Sequence, residues 1–533
     1  MKDFIFFIAF LLMQVSWTTV SSRSVQECLV QCLLSKSDSC NPIAGAIVTP
    51  ANSSFSSALG FHRRDLRFAT PETPKPVAII AASHESHVQA AILCSKNLSL
   101  QIRTWSGGHD YEGLSYISDV PFAILDMSNL RRIDVDVANR TAVVQAGVIL
   151  GEIYYKVAKE SNGTLGFPAG ACPSMGTGGH FAGGGYGNMM RNYGLSVDNI
   201  INATLVDVNG RILNRWSMGE DLFWAIRGGG AYSFAVVVSW TLNLVTVPTT
   251  VTTFGVERAV EEGLTDVVLQ WQDVADKIDD KLFIRVALSV RNRTGNGNGA
   301  EGKTVVALFY ALYLGKAQNL LELMNKKFPK LGLQKKDCIE MRWIQSVLSW
   351  FGYPIETPPE VLLDRVPKWL ISMKKKSDYV RLPIARTGLE SVWKKMVKLE
   401  KVEMQWSPYG GAMGRIGESE TPFAHRFGIK WKIQYLVGWS EEGPAAVSLY
   451  TKLVRDLYAF MTPFVTNSPR EAFLNYRDLD IGRNSDEGTD YEAAKVYGEK
   501  YFKGNFDRLV EVKTRVDPEN FFRNAQSIPV LPY

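Results

Sequence analysis

The sequence predicts a fold of mixed helices and strands, of the α/β or α+β class, in more than one folding unit. In the first 245 residues, short apolar runs alternate with segments whose apolar residues recur at helical spacing. After Pro248 the composition changes, and alternating strands and amphipathic helices follow. The length of 533 residues also exceeds the roughly 100–200 residues of one typical domain.

Apolar or alternating runs in the N-terminal part predict strands at 77–82, 100–103, 133–137, 142–144 and 235–245. The third and fourth runs flank a polar turn and therefore predict a hairpin. Helical spacing predicts helices at 83–97 and 149–159, with Ser83 as the N-cap of the first.

A glycine-rich segment at 166–187 contains nine glycines in 22 residues. We predict that it forms neither a helix nor a packed strand, because glycine weakens both. Phe167, Phe181 and Tyr186 are interleaved with the glycines and require burial, which argues against a flexible surface loop. Backbone of this kind suits close approach to a flat or charged ligand.

The C-terminal half predicts a sheet with helices on one side and then a helical tail. Strands are predicted at 282–290, 304–314 and 431–439, and helices at 257–278 and 316–328. In the tail, 491–516 predicts one further helix, which Pro518 ends.

The N-terminus has the features of a secretory signal peptide, which we place at residues 1–22. Lys2 precedes the apolar run Phe4–Met13, and small residues follow. This run is too short to span a bilayer comfortably, and a membrane anchor is the alternative. Six glycosylation sequons agree with secretion; they begin at Asn52, Asn97, Asn139, Asn162, Asn202 and Asn292.

All six cysteines lie beyond the signal peptide: Cys28, Cys32, Cys40, Cys94, Cys172 and Cys338. A secreted chain can oxidise them, so we expect one or two disulfides. Their pairing stays open at this point, because spacing alone does not fix it.

Two patterns that suggest other functions do not fit their surroundings. Gly297–Thr304 matches a phosphate-binding loop, but a strand pattern follows it where such a loop requires a helix. His84 and His87 have no third metal ligand nearby and predict a solvated helix start, so no metal site is expected.

The net charge of +5 favours an acidic surface such as a cell-wall polymer and is too weak to argue for nucleic acid.

Two glycine-rich motifs carry the strongest functional signal. RTWSGGHDYEGLSY occupies 103–116, and GFPAGACPSMGTGGHFAGGGYG occupies 166–187. Both resemble motifs of the berberine bridge enzyme-like oxidases, a plant family within the vanillyl-alcohol-oxidase-type flavoproteins. Further segments resemble the same family in order along nearly the whole mature chain: 61–76, 192–200, 227–237, 475–482 and 516–529.

The resemblance implies the α+β class with a divided FAD-binding domain. Residues 23–247 and the C-terminal segment 473–533 would form that domain. Residues 248–472 would form an inserted substrate domain of antiparallel sheet covered by helices. The resemblance also implies a Cys32–Cys94 disulfide. Cys28 and Cys40 are then left, and whether they pair with each other stays open, while Cys338 stays free.

The resemblance further implies FAD held by two covalent bonds. His109 would bond the flavin 8α-methyl group and Cys172 would bond C6. Imidazole nitrogen and thiolate are effective nucleophiles toward an electrophilic ring. The other residues that it places at the cofactor are Ser106, Gly107, Gly108, Gly176, Gly178, Gly179 and Tyr476.

The candidate substrate side is built on the segment 430–439. Lys432 and Gln434 are two residues apart in a predicted strand and therefore share a face; many family members line the substrate side with such a pair. Tyr186 matches the base proposed for alcohol-oxidising members, and a nearby Lys432 ammonium would favour its phenolate. Tyr111 and Tyr476 match other pocket tyrosines.

Three positions depart from the family pattern. Trp105 replaces a more usual Arg, which would alter contacts near the cofactor, and Phe473 stands where related members often have Tyr. Met175 occupies the position that resembles an oxygen gate over the flavin, where Val accompanies oxidases and Leu dehydrogenases. Met is flexible, so this residue leaves oxygen use open.

These residues predict a secreted enzyme that abstracts a hydroxyl proton and transfers hydride to flavin N5, with O2 or another acceptor reoxidising the flavin. The candidate substrates are an oligosaccharide anomeric hydroxyl and an aromatic allylic alcohol such as a monolignol. Alkaloid oxidation at C–N or C–C bonds is one alternative, although alkaloid-cyclising members carry Glu where Gln434 stands. A non-catalytic glycoprotein is another.

We expect a monomer in the cell wall, or in the vacuole or endomembrane vesicles, without nucleic-acid partners or a stable membrane span.

Overall fold

A computed structural model describes residues 24–293, 302–366, 370–484 and 490–532. In these ranges the chain forms helices packed on three larger sheets, which confirms the mixed class. No helix within them combines the length and apolarity needed to cross a membrane. The predicted signal peptide at 1–22 lies outside the described residues.

The first sheet contains β1 (Ile47–Val48), β2 (Ile79–Ala81), β3 (Gln101–Trp105) and β4 (Phe122–Asp126), in the order β1-β2-β4-β3. β2, β3 and β4 are parallel, and β1 is antiparallel to β2. The helices of this region are α1 (Val25–Ser35), α2 (Phe55–His62) and α3 (Glu85–Asn97).

The N-cap of α3 is His84 rather than Ser83, because the His84 ring accepts the Ser86 N–H. His87 is buried rather than solvated, with Nε2 3.0 Å from the Asn41 carbonyl oxygen.

The disulfide implied by the resemblance is present. Cys32 on α1 and Cys94 on α3 are bonded, with 5.7 Å between their Cα atoms. A second disulfide between Cys28 and Cys40, which the sequence left open, does not form, because both are free thiols in the described part of the chain. Cys28 lies in the first half of α1, whereas Cys40 lies beyond its C-terminal end.

The second sheet follows in sequence. Its region contains β5 (Ile133–Asp136), β6 (Thr141–Gln145), β7 (Leu165–Gly166), β8 (Ile200–Val206), β9 (Ile212–Leu213), β10 (Val236–Asn243) and β11 (Val245–Thr246). Five of these strands form an antiparallel sheet in the order β5-β6-β10-β8-β9, and β7 pairs with β11. The helices are α4 (Leu150–Glu160), α5 (Thr177–Ala182), α6 (Met190–Tyr193) and α7 (Arg215–Ile226). The predicted hairpin is β5–β6.

The glycine-rich segment 166–187 contains the helix α5, contrary to our prediction. Phe181 on this helix is fully buried, and its ring packs against Phe167 and Trp240. Tertiary packing therefore outweighs the weak helix propensity of glycine over this short stretch. The predicted burial of Phe167, Phe181 and Tyr186 is confirmed.

The third sheet is antiparallel and has seven strands: β12 (Val251–Ala259), β13 (Leu282–Asn292), β14 (Lys303–Tyr313), β15 (Cys338–Met341), β16 (Ser372–Val380), β17 (Glu403–Pro408) and β18 (Trp431–Trp439). Their order is β15-β12-β14-β13-β17-β18-β16. The accompanying helices are α8 (Leu264–Val274), α9 (Ala317–Lys327), α10 (Trp343–Trp350), α11 (Arg386–Leu399), α12 (Ala412–Arg415) and α13 (Pro444–Phe460). Helices α8, α9, α11 and α13 share a core with one face of the sheet. We call the other face the open face. It carries Arg285 and Gln434, which donate hydrogen bonds to Tyr186 and Tyr111 respectively.

The predicted helix at 257–278 is wrong at its beginning. Glu257 belongs to the strand β12, and α8 begins at Leu264. Phe254 and Val256 are buried against the helices while Glu257 is exposed, which is strand alternation rather than helical spacing.

The tail contains two helices rather than one, α14 (Tyr491–Phe502) and α15 (Phe506–Val516). They are separated at Lys503, whose φ of 53° is incompatible with a continuing helix. Leu509 and Val510 of α15 join the same core as Phe223 of α7. This packing agrees with a tail that completes the N-terminal part, and the boundaries at 247/248 and 472/473 stay predictions.

A buried ion pair anchors α15. Lys513 Nζ donates to Asp517 Oδ2 at 2.5 Å and to the carbonyl oxygens of Ser233 and Phe522 at 2.7 and 2.8 Å. Lys513→Met leaves Asp517 buried without its counter-charge, so we expect the free energy of unfolding to fall by about 3–5 kcal/mol. Lys495→Met on α14 is the control. Lys495 lies 3.8 Å from Glu499 at the surface, and its loss should cost less than about 1 kcal/mol. Urea unfolding measures both, and equal changes would contradict the prediction.

Candidate functional site

A cavity of about 380 Å³ lies between the two glycine-rich motifs and the open face of the third sheet. Most of the site residues predicted from the sequence line it: Ser106, Gly107, Gly108, His109, Tyr111, Cys172, Met175, Gly176, Gly178, Gly179, Tyr186, Gln434 and Tyr476. Lys432 lies behind the wall and contacts the rings of Tyr186 and Tyr476. The structure therefore brings together residues as distant in the sequence as Ser106 and Tyr476.

The glycines allow the two motifs to approach each other closely. A Cβ atom on Gly107 would lie 2.3 Å from the Gly176 nitrogen, and one on Gly176 would lie 2.2 Å from Ser106 Oγ. Ser106 Oγ accepts the Gly178 N–H at 3.2 Å. Side chains at these glycines would separate the motifs, so the backbone at this wall of the cavity depends on their absence.

His109 and Cys172, the two predicted attachment residues, contact the same hydroxyl group. Ser174 Oγ lies 3.0 Å from His109 Nε2 and 3.5 Å from Cys172 Sγ, and Ser174 itself is 3% exposed. Burial, together with Arg64 and Lys375, lowers the pKa of His109 to about 3. Its imidazole is therefore neutral at physiological pH and keeps a nitrogen lone pair. Burial raises the pKa of the Cys172 thiol against the opposing effects of Ser174 and Lys375.

The charges of the cavity fit an anionic cofactor such as FAD. Five cationic side chains line it, Arg103, Arg285, Lys375, Arg477 and Arg523, whereas Asp110 is the one carboxylate among the described lining residues. Asp110 is paired with Arg477 Nε at 2.6 Å. Arg477 Nη1 is buried and has no hydrogen-bond partner among the described residues, so it can donate to a phosphate oxygen. These residues and the glycine backbone could hold FAD.

The structure places Arg285, rather than Lys432, at the Tyr186 hydroxyl. Arg285 Nη2 donates to Tyr186 Oη at 2.6 Å. Lys432 Nζ lies over the face of the Tyr186 ring, 3.6 Å from its centroid, and has no hydrogen-bond partner in the described ranges. Burial, and then Arg285, holds the pKa of Lys432 well below its usual value. Burial also raises the pKa of Tyr186, and Arg285 opposes this most strongly.

Tyr111 and Tyr476 form an aromatic wall beside this pair. Their rings stack with centroids 5.5 Å apart, and Gln434 Nε2 donates to Tyr111 Oη at 2.8 Å. Phe473, one of the three departures from the family pattern, packs edge-on against both Tyr186 and Tyr476. The wall therefore combines aromatic ring faces with tyrosine hydroxyl groups, which suits an aromatic ring or the face of a sugar.

Trp105 and Met175 have different positions relative to the cavity. Trp105 is fully buried outside the lining, where its Nε1 donates to the His62 carbonyl oxygen at 3.0 Å. The replacement of Arg at this position therefore adds no side chain to the cavity. Met175 does line the cavity, and it fits there because Gly170 lacks a Cβ, which would lie 2.3 Å from Met175 Cε.

Among the site residues that sequence reasoning missed are Ser174, His180 and Arg285. Ser174 lies in the second motif between Cys172 and Met175, so the motif itself was a signal for it. His180 lies in the same motif; it lines the cavity and accepts the Gly170 N–H at 3.0 Å. Arg285 lies in the middle of β13 and has no local motif to reveal it.

The predicted glycosylation residues are mostly at the surface. Asn52, Asn97, Asn139, Asn162 and Asn292 are exposed. Asn202 is half-buried within β8, and its Oδ1 accepts the Arg215 N–H at 3.1 Å. Its side chain is therefore less accessible than the others.

Comparison with known proteins agrees with the site. The family model described as FAD binding domain matches residues 76–215, and the one described as Berberine and berberine like matches 472–529. Berberine bridge enzyme-like 8 of Arabidopsis thaliana is 53% identical over 532 residues, which are 99% of this chain and 98% of that protein. The solved structure of BBE-like 28 from Arabidopsis thaliana has a TM-score of 0.87 at 44% identity and covers 94% of this chain and 100% of that one.

A grass pollen allergen is also similar. The structure of wild-type Phl p 4, a glucose dehydrogenase, has a TM-score of 0.88 at 40% identity, covering 95% of this chain and 100% of that one. A variant of the same allergen is a glucose oxidase. The sequence matches extend over the cavity and the tail together, so this chain belongs to the berberine bridge enzyme-like family of FAD-dependent oxidoreductases.

Proposed function

We propose that this enzyme holds FAD by covalent bonds from His109 and Cys172 and oxidises a hydroxyl group, with Tyr186 as the base. The substrate is the anomeric hydroxyl of a sugar or an aromatic allylic alcohol. The observation that carries the proposal is the contact of 2.6 Å between Arg285 Nη2 and Tyr186 Oη. In this contact the permanently charged guanidinium lies beside the oxygen that becomes negative when Tyr186 is deprotonated.

The residues around Tyr186 prepare it to take a proton. An arginine remains charged when buried, so Arg285 stabilises the phenolate in an environment where water is excluded. Ser407 and Gln405 hold the guanidinium through Arg285 Nε at 3.1 Å and Nη1 at 3.3 Å. Tyr186 then accepts the proton of the substrate hydroxyl, while Tyr111 and Gln434 orient the rest of the molecule. Bound FAD supplies the acceptor for the hydride of the carbinol carbon.

Two of the similar solved structures support hydroxyl oxidation. One similar protein is a glucose dehydrogenase and a variant of it is a glucose oxidase, both of which act on a sugar. In this chain Gln434 is an amide and donates to Tyr111, so this position lacks the carboxylate of the alkaloid-cyclising members. The Cys32–Cys94 disulfide supports secretion into an oxidising compartment.

A substrate screen under anaerobic conditions tests the reaction. Loss of the oxidised flavin absorption reports reduction by a substrate, whatever acceptor is used later. We expect bleaching by a mono- or oligosaccharide or by a monolignol. Bleaching by benzylisoquinoline amines alone would contradict the proposal.

Met175 is expected to control reoxidation by oxygen. Met is unbranched and can move aside, so reduced native enzyme should react with oxygen slowly to moderately. Met175→Val should open space in the cavity and accelerate reoxidation, whereas Met175→Leu, branched at Cγ, should block it. Stopped-flow reoxidation at several oxygen concentrations measures the three rate constants. If all three are equal, this position does not gate oxygen.

A further inference from the structure

Three consecutive lysines on β16 have different surroundings. Lys374 and Lys376 lie on one side of the strand and form buried ion pairs; their partners are Glu112, Asp478 and Asp480. Lys375 points to the opposite side and lines the cavity. Its Nζ lies 4.2 Å from the centroid of the Tyr111 ring. Among the described residues it has neither an ion pair nor a hydrogen bond.

Lys375 lies on the same face of the sheet as the candidate substrate-binding residues. In the register of β16 and β18, Lys375 is opposite Leu436 and Ser377 is opposite Gln434, so Lys375 and Gln434 are neighbours on the open face. Both contact Tyr111, Lys375 through the ring and Gln434 through the hydroxyl. The ammonium group is thus part of the wall against which a substrate would lie.

The other cations of this cavity have partners. Arg285 donates to Tyr186, and Arg477 pairs with Asp110. Arg103 and Arg523 donate to backbone carbonyl oxygens. Lys375 is the lining cation, in the described part of the chain, whose nitrogen faces only an aromatic ring. A partly buried ammonium without a counter-charge loses part of its hydration, so an anion bound beside Lys375 would be stabilised.

The cofactor ring does not supply that anion. Lys375 is close enough to His109 and Cys172 for its charge to lower the pKa of both, so it lies near the proposed attachment points on the flavin ring. The oxidised flavin ring carries no formal negative charge, and the anionic part of FAD is its diphosphate. In the oxidised enzyme, the state that binds substrate, a negative charge beside Lys375 would therefore come with the substrate.

We propose that Lys375 binds a carboxylate of the substrate and makes the enzyme selective for acidic substrates. This inference rests on the proposed function in one respect, namely that the substrate lies against Tyr111. The same chemistry is present in a sugar acid and in an aromatic acid. The amine donates up to three hydrogen bonds, and a charge-assisted bond to a carboxylate is stronger than a neutral one.

The test uses matched acidic and neutral probes and measures binding rather than turnover. Galacturonate is compared with galactose, and ferulate with coniferyl alcohol, by the perturbation of the oxidised flavin spectrum of the holoenzyme immediately after anaerobic stopped-flow mixing, before a bound probe reduces the flavin. We expect the native enzyme to bind one acid more tightly than its neutral partner. Lys375→Met should reduce that acid-to-neutral affinity ratio by about 10- to 100-fold, the range of a hydrogen bond to a charged group. The pair that responds identifies the sugar acid or the aromatic acid.

Two further variants separate a direct contact from other effects. Lys375→Arg keeps the charge and should keep the preference for the acid. Lys452→Met removes an exposed lysine on α13 and should leave the ratio unchanged, which controls for net charge. An unchanged ratio in Lys375→Met, or a native enzyme that prefers neither acid, would overturn the proposal. If acids bind through Lys375 but no probe reduces the flavin, the proposed oxidation fails and this inference stands.

Discussion

The double variant His109→Ala, Cys172→Ala is expected to lose all covalent flavin, whereas each single variant keeps it through the remaining bond. A covalent bond survives unfolding and a non-covalent contact does not. The two side chains approach the cavity from separate motifs and share only the Ser174 hydroxyl, so neither requires the other for its position. Acid precipitation followed by absorbance of the supernatant measures free flavin, and mass spectrometry of digested peptides locates each bond.

Matched substitutions outside the cavity are the controls for this prediction. His84 caps α3 and Cys338 begins β15, and neither lines the cavity. The variants His84→Ala and Cys338→Ala should therefore retain both bonds. Free flavin in the supernatant of the native protein would show that covalent attachment is wrong, and retention by the double variant would show that another residue makes a bond.

Ser174 gives this prediction a finer test. Its hydroxyl contacts both attachment residues, and Ser174 is buried. Ser174→Ala frees His109 and Cys172 to adopt other rotamers, which should lower the fraction of protein with both bonds. Ser174→Thr keeps a hydroxyl and should retain more of them. Peptide mass spectrometry measures these fractions, and equal bicovalent fractions in the two variants would contradict a role for the hydroxyl.

Local sequence patterns predicted much of the fold. The strands β10, β13, β14 and β18 were predicted because apolar or alternating residues continue along their whole length. The prediction failed where distant contacts decide the conformation. The helix α5 forms in a glycine-rich segment because Phe181 packs against Trp240, and Glu257 is in a strand because β12 pairs with β14.

The candidate site could be predicted from the sequence only in part. His109 and Cys172 lie in dense motifs whose resemblance to a family is specific. Arg285 is separated by 99 residues from the tyrosine it contacts, and an arginine in a strand is ordinary. Lys375 is one of three lysines that look alike in the sequence, and only the register of β16 decides which of them lines the cavity. Strand pairing across the third sheet thus determines that Arg285 and Lys375 reach the cavity, which the sequence motifs do not reveal.

The same strand pairing explains which cation contacts the Tyr186 ring and which contacts its hydroxyl oxygen. Sequence reasoning assigned the neighbouring charge to Lys432, because the family resemblance places that residue with Tyr186 on the substrate side of the flavin. The structure places Lys432 over the ring and Arg285 at the oxygen. A guanidinium stays charged in a buried position, whereas burial lowers the pKa of Lys432. Arg285 is therefore the more effective stabiliser of a phenolate.

Tyr186→Phe is expected to lower the rate of flavin reduction by roughly 10²–10⁴-fold, the range typical of a lost general base. The ring and its contacts with Phe473 and Lys432 remain, so substrate binding should change little. The native rate should rise with pH below the pKa of Tyr186, because burial raises that pKa and the phenolate fraction increases tenfold for each pH unit. This rise should be absent in Tyr186→Phe. Anaerobic stopped-flow reduction across pH measures both effects.

Tyr310→Phe separates the loss of a base from a disturbance of Arg285. Tyr310 Oη accepts from Arg285 Nη1 at 2.9 Å, so the substitution removes a hydroxyl from the same guanidinium without removing the proposed base. We expect less than a tenfold decrease in rate, because a neutral hydrogen bond contributes about 0.5–1.5 kcal/mol. The rise of rate with pH should persist in this variant. If Tyr186→Phe and Tyr310→Phe reduce the rate equally and both keep the pH dependence, Tyr186 acts through the position of Arg285 and the base is another group.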